Sequence, residues 1–269
     1  METSSRFMPG NLWALRGLVF RMTWLEVNRR YRGSVLGILW SLIAPLCMMA
    51  AYTLVFSVVV RVRWSGGTGS HGEFAMALFA GLVAYDFFAG SLNRAPCLVT
   101  GNPGFVKKVL FPAQILPAVG VLAQLADALV RLAALYAWVW IARGGASGES
   151  LLAPLALVPL LFLTLGLSWF LAALGVWLKD LSHLVAVFTQ LLFFLTPVLF
   201  PLEAAPAPWG RVLAMNPLAP LVTWVRDTMV FGRVPHPGAL AWVGLLSLLV
   251  AFTGWSFFQR SKKAFAEMV

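Results

Sequence analysis

The sequence predicts an all-α polytopic membrane protein. It should have six transmembrane helices, an N-terminal amphipathic interface helix, and short re-entrant outer gate helices between spans five and six. Three observations predict this. Of the 269 residues, 60% are hydrophobic and 11% charged, with mean hydropathy +0.84; a soluble domain carries about 45–50% apolar and about 25% charged residues. From Gly33 to Val60 there is no charged side chain, and a spanning helix needs roughly 20 apolar residues at a rise of about 1.5 Å each. The charges sit in the gaps between apolar runs, as topology requires.

The elements follow in chain order. In residues 9–31, Leu12, Leu15, Val19, Met22 and Leu25 or Glu26 recur at helical spacing among Arg16, Arg21 and Arg29, with Trp13, Phe20 and Trp24 beside them. This pattern reads as a helix lying in the headgroup plane with its apolar face down, or as a soluble helix packed on a partner. The basic cluster Arg29, Arg30 and Arg32 then leads into the first apolar run. Spans are expected at 35–60, 74–93, 111–141, 151–178, 184–200 and 238–258. With the N-terminus inside, thirteen of the 20 Lys and Arg residues fall on the cytoplasmic side and six outside, Arg131 lying within a span. That asymmetry supports two cytoplasmic ends and an even number of crossings. The first apolar segment is too long for a signal-peptide core and lacks a cleavage site.

Two connections carry structure of their own. In residues 94–112, Asn102-Pro103-Gly104 marks a turn, and Phe105, Val106 and Val109 beside Lys107 and Lys108 form a short mixed element. It reads as a piece that docks into a soluble partner, or as a plain basic loop. In residues 201–237 prolines recur, yet Trp209–Met215 and Leu218–Phe231 keep helical apolar spacing on either side of Asn216-Pro217. Two short half-inserted helices are expected there, covering a pathway, since irregular backbone at membrane depth must be shielded or line a wet cavity. An ordinary outer loop is the alternative.

Asp86, Asp127 and Arg131 fall within spans. Each costs about 2.5–3.5 kcal/mol at a helix centre, so each should face protein or water. Asp127 and Arg131 are four apart and share a helix face; Asp86 joins them if spans two and three are antiparallel neighbours. These charges read either as a structural pair between helices or as a proton relay in an ion-coupled secondary transporter. His71, His183 and His236 lie in gaps and add nothing to a relay. Among the aromatics, Trp40, Tyr52, Phe56, Phe193 and Phe194 are candidates to line a pathway, because sugar rings stack C–H faces on aromatic rings; interface-belt, packing and lipid contacts are the alternatives. The small residues Gly33, Gly37, Gly166, Ser168, Ala172 and Gly175 predict close helix approach.

Several classes are excluded. The net charge of +10 is explained by topology and not by nucleic acid. Cys47 and Cys97 make neither a disulfide framework nor a metal motif. There is no G-x-x-x-x-G-K-[ST] loop, H-E-x-x-H, G-x-S-x-G or D-x-D. The scattered acids do not suit a membrane transferase. Energy for uphill transport must come from another chain or from an ion.

Five segments, in order along nearly the whole chain, carry a resemblance. They are RYRGSVLGILWSLIAPLCMMAAYTLVF ending at Phe56, FAGLVAYDFFAGSLNRAP from Phe79, NPGFVKKVLFP from Asn102, FLTPVLFP from Phe194 and MNPLAPLVTWVRD from Met215. Together they resemble the permeases of polysaccharide and teichoic-acid ABC exporters; Asp86 departs from the neutral residue expected beside the aromatic pair. The resemblance implies a homodimer around a central channel and two nucleotide-binding ATPase subunits that hold ATP and Mg, with no cofactor on this chain. It also implies a cargo of polyprenyl-linked glycan or polyol phosphate. By the same resemblance Asn102, Pro103, Gly104, Phe105, Lys107 and Lys108 form the coupling element, and the N-terminal helix grips the ATPase. The helices bearing Trp209, Met215, Asn216, Pro217 and Trp224 gate the outer mouth. Arg29, Arg30 and Arg32 at the cytoplasmic entrance are candidates to hold the lipid diphosphate through bidentate bonds; anchoring of topology is the other role open to them.

Overall fold

The computed structural model describes residues 15–33, 35–64, 67–106, 111–145, 147–206 and 208–268; Leu12, Trp13, Lys107, Lys108 and Val109 lie outside them. Among the described residues there is helix and no strand. Helix α1 spans Arg16–Tyr31. Its stripe Leu15, Val19 and Met22 packs on Phe111, Ile115, Val119 and Leu122. The stripe expected to face the headgroups is thus a protein contact. Leu18, Phe20, Trp24 and Leu25 are left outward, Phe20 and Trp24 standing one turn apart at 73% and 61% exposed.

The first span begins later than expected. Gly33 and Gly37 take left-handed φ of 84° and 53°, and nothing lies within 4 Å of where their Cβ atoms would stand. They turn the chain at the span's start, where only glycine adopts such φ freely, and are not a helix-packing motif. A 3₁₀ turn, Gly37–Leu39, leads into α2, Trp40–Tyr52, which continues as π-helical turns over Thr53–Val59.

Helix α3, His71–Arg94, starts at Ser70, whose hydroxyl accepts the Glu73 amide proton at 3.2 Å, a standard N-cap. Two four-residue helices follow, α4 (Cys97–Thr100) and α5 (Pro103–Val106). Then comes α6, Ile115–Arg143, closed by Gly144 at φ 70°. The expected fourth span divides into a 3₁₀ stretch, Gly148–Ala156, and α7, Leu157–Leu174. Pro154 within the stretch has no amide proton to give. Helix α8, Leu181–Phe194, has 14 residues, about 21 Å of helix against a hydrocarbon core of about 30 Å. Turns carry the chain onward through Phe200. Two short helices, α9 (Trp209–Ala214) and α10 (Leu218–Arg226), flank Asn216-Pro217 as the spacing predicts, and π-helical turns cover Asp227–Phe231. The last helix is α11, Pro237–Met268.

Among the described residues five helical stretches are long and apolar enough to cross a membrane: Trp40–Val59, His71–Arg94, Ile115–Arg143, Gly148–Leu174 and Pro237–Lys262; α8 is a shorter apolar helix. Helix α3 is the centre, buried along most of its length. Helix α6 runs antiparallel to it, since Gly90 meets Gln124, Asp86 meets Arg131 and Glu73 meets Arg143. Helices α7 and α11 pack backbone to backbone. A Cβ on Gly166 would collide with the Val250 carbonyl, and one on Gly254 with the Gly166 carbonyl. Trp169 and Trp255 meet edge to face at 4.9 Å in the same seam. Gly175 likewise sits against the Pro96 carbonyl. Close approach through small residues, the usual device where lipid removes the hydrophobic drive, thus holds at Gly166 and Gly175.

Candidate functional site

Two adjoining cavities open between α1, α2, α3, α6 and α8. The first, about 690 Å³, is lined by charged and amide side chains, among them Arg30, Asp86, Asn93, Gln124, Asp127 and Arg131. The second, about 570 Å³, shares Asp86, Ala89, Asn93 and Arg131 with it and adds Tyr52, Tyr85, Thr189, Gln190, Phe193 and Phe194. One end of the system is charged and the other aromatic.

The charges are paired across helices. Asp127 takes an ion pair from Arg30 of α1, whose Nη1 also donates to Gln124 Oε1 at 3.3 Å. Arg131, one turn on, pairs with Asp86 of α3 at 3.1 Å and donates from Nε to the Ser41 carbonyl of α2 at 3.0 Å. Asp127 and Arg131 therefore share a face, as expected, but each has its ion partner on another helix. A third pair joins Arg94 to Glu26. Such pairing is how charge persists at membrane depth, because an unpaired ion there costs several kcal/mol.

The aromatic end is held by polar contacts. The Tyr85 hydroxyl donates to the Thr189 carbonyl, and the Thr189 hydroxyl donates to Asn93 Oδ1 at 2.9 Å. Phe193 packs against Tyr85 at 5.0 Å and Tyr52 at 5.7 Å. Of the aromatics singled out in the sequence, Trp40 lines the first cavity, and Tyr52, Phe193 and Phe194 the second. Phe56 stands behind them, 6.4 Å from Tyr52.

A larger groove, about 980 Å³, runs between α1, the α4–α5 connection and the start of α6, with Met22, Leu25, Arg29, Asn102, Phe105 and Phe111 among its walls. Asn102 Nδ2 donates to the Leu98 carbonyl at 2.9 Å, and its own carbonyl accepts the Phe105 amide at 3.0 Å. Phe105 stacks on Phe111 at 4.8 Å. Pro103 and Gly104 make the first turn of α5. Arg29 and Arg32 are exposed at the C-terminal end of α1, where positive charge suits the helix dipole.

The expected gate residues divide into two groups. Trp209 and Met215 are 63% and 84% exposed, whereas Trp224 is buried and donates to the Leu152 carbonyl at 3.0 Å. Asn216 ties the hinge to the end of α8 through the Thr196 hydroxyl at 2.8 Å and accepts the Leu218 amide at 2.9 Å; Pro217 begins α10. Sequence reasoning missed Arg226, which reads as an outer-face charge. It is buried, donates to the carbonyls of Ala77, Pro197 and Val198, and lies 3.8 Å over the Trp64 ring. The outward signal was the Trp-Val-Arg-Asp run, whose Arg226 and Asp227 sit at the junction of α10 with the π-helical turns.

A profile of the ABC-2 type transporter family matches residues 17–230. The chain is 31% identical over 265 residues to the O-antigen export system permease protein RfbA of Myxococcus xanthus, covering 96% of this chain and 97% of that one. It is 26% identical over 266 residues to the protein of the same name from Klebsiella pneumoniae, covering 97% and 98%. It is 22% identical over 241 residues to the polysialic acid transport protein KpsM of Escherichia coli, covering 89% and 91%.

Proposed function

Because the chain belongs to the ABC-2 type transporter family, we propose that it is the permease subunit of an ATP-driven exporter that moves a lipid-linked polysaccharide out of the cytoplasm. The observation that carries this reading is end-to-end similarity to O-antigen export permeases. The cargo class is an O-antigen, capsule or teichoic-acid-like polymer on a polyprenyl carrier. Two copies enclose the pathway in the plasma membrane, with both termini cytoplasmic, and two ATPase subunits below them bind ATP and Mg. This chain supplies no catalytic group.

The residues take roles within that assembly. The groove beside α5 receives the ATPase, with Phe105 as its apolar contact and Lys107 and Lys108 following it in sequence. Arg30 is committed to Asp127, so the exposed Arg29 and Arg32 are the arginines offered to a lipid diphosphate. Trp209 and Met215 form the mobile part of the outer gate, and Trp224 its anchor. The aromatic cavity of Tyr52, Tyr85 and Phe193 gives passing sugar rings apolar faces beside hydrogen-bonding groups. Coupling to ions gains no support, because Asp86 and Asp127 are both held by arginines.

Reconstitution tests this. In proteoliposomes containing the chain and its ATPase subunit, a polyprenyl-diphosphate glycan is expected to cross when ATP is supplied and to be unaffected by collapse of a proton gradient. Transport that follows the gradient and ignores ATP would overturn the proposal.

A further inference from the structure

Helix α2 has a defect built into it. Pro45 is the sixth residue of Trp40–Tyr52 and is buried, well past the first position where proline is harmless. Residue 45 would ordinarily give its amide proton to the carbonyl four residues earlier, that of Ser41; proline has none to give. A carbonyl freed by proline in a spanning helix needs a donor from a neighbouring helix, a side chain or ordered water. Arg131 Nε lies 3.0 Å from that same Ser41 carbonyl, and Ser41 is itself buried.

We propose that Arg131 is a positioning residue that replaces the amide proton missing at Pro45 and so holds the first span at its proline turn. Its fork serves two helices at once. Nε satisfies α2, and Nη1 binds Asp86 of α3 at 3.1 Å, which neutralises the guanidinium. Asp127, one turn earlier on α6, holds Arg30 of α1. Helix α6 therefore presents consecutive turns that clamp first α1 and then the proline turn of α2. Position matters most for α2, because little else holds it: 11% of its apolar stretch is buried inside the chain. A guanidinium is suited to this task, since it stays charged and offers donors in a rigid fork.

A simpler role would be neutralisation of Asp86 alone, and a mutant cycle separates the two. Thermal unfolding of the full chain in detergent is compared for the parent, Pro45→Ala, the double variant Asp86→Asn/Arg131→Met, and the triple variant carrying all three. The double variant removes both charges, so no lone carboxylate remains. It is expected to lower the midpoint by roughly 3–12 °C, the loss of one hydrogen bond from a charged donor. Pro45→Ala restores an amide proton, so it should raise the midpoint more in the double variant than in the parent, by roughly 2 °C or more. That non-additivity is the signature of a shared carbonyl. A double variant as stable as the parent, or an equal shift from Pro45→Ala in both backgrounds, would overturn the proposal. If the double variant does not accumulate, folded yield is read instead: recovery in the triple variant supports the proposal and no recovery overturns it.

Discussion

The first two spans make the sharpest contrast in the molecule. The stretch Trp40–Val59 is the more apolar of the two, yet 11% of it is buried inside the chain against 83% of His71–Arg94. In water the more apolar helix would occupy the core. In lipid the ordering reverses, because the hydrocarbon is as apolar as leucine and packing is decided by fit and by polar contacts. Helix α3 carries Ser91, Tyr85 and Asp86 and is surrounded; α2 is held at few points, among them the Arg131 bond to Ser41. The contrast teaches that burial in this chain follows polar partners more closely than hydrophobicity.

The largest expected effect lies on the buried side. Arg226→Met removes the donor to the carbonyls of Ala77 on α3 and of Pro197 and Val198. It should destabilise the chain by about 3–5 kcal/mol, seen as loss of monodisperse protein after extraction. Survival of the variant at full yield would break the contrast, since α3 would then not depend on its polar partners. Next, paired leucines probe the two spans directly. Leu78→Ala, fully buried on α3, should cost about 2–5 kcal/mol, whereas Leu54→Ala, 60% exposed in the π-helical turns that continue α2, should change unfolding by no more than about 0.5 kcal/mol. Equal losses would contradict the burial order.

Smaller effects sharpen the picture at α2 and α1. Asp127→Asn keeps the shape and removes the ion pair with Arg30; a loss of about 1–2 kcal/mol is expected, with faster proteolysis of α1 as the local readout. Finally, the exposed face of α2 should meet a second copy. Cysteines at 54 and 58, on the stripe of the native exposed Cys47, are expected to cross-link between copies in membranes. A cysteine replacing the exposed Leu249 of α11 should not. Cross-linking only at 249 would place the partner on α11.

Much of this was legible in the sequence. Runs of uncharged residues locate helices because only length and hydropathy decide a crossing, and the two short helices around Asn216-Pro217 followed from punctuation by proline. Close approach at Gly166 and Gly175 was readable too. The pairing of charges was less so. Asp127 and Arg131 at a spacing of four suggest each other, and nothing local announces that Arg30, 97 residues from Asp127, arrives first. Arg226 reads as a surface charge until three distant carbonyls surround it. The glycines at 33 and 37 have the spacing of a packing motif and the backbone angles of a turn. The stripe Leu15–Val19–Met22 was visible as apolar, but periodicity does not say whether lipid or α6 covers it.

The proposed export activity requires an ATPase bound at the groove beside α5. The direct measurement is co-expression with the ATPase subunit, purification in lipid nanodiscs, and comparison of ATP turnover between the parent and Phe105→Asp. A stable complex is expected with the parent, and lost assembly or uncoupled turnover in the variant. Failure of any ATPase subunit to co-purify with the parent, or identical assembly and turnover in both, would contradict it.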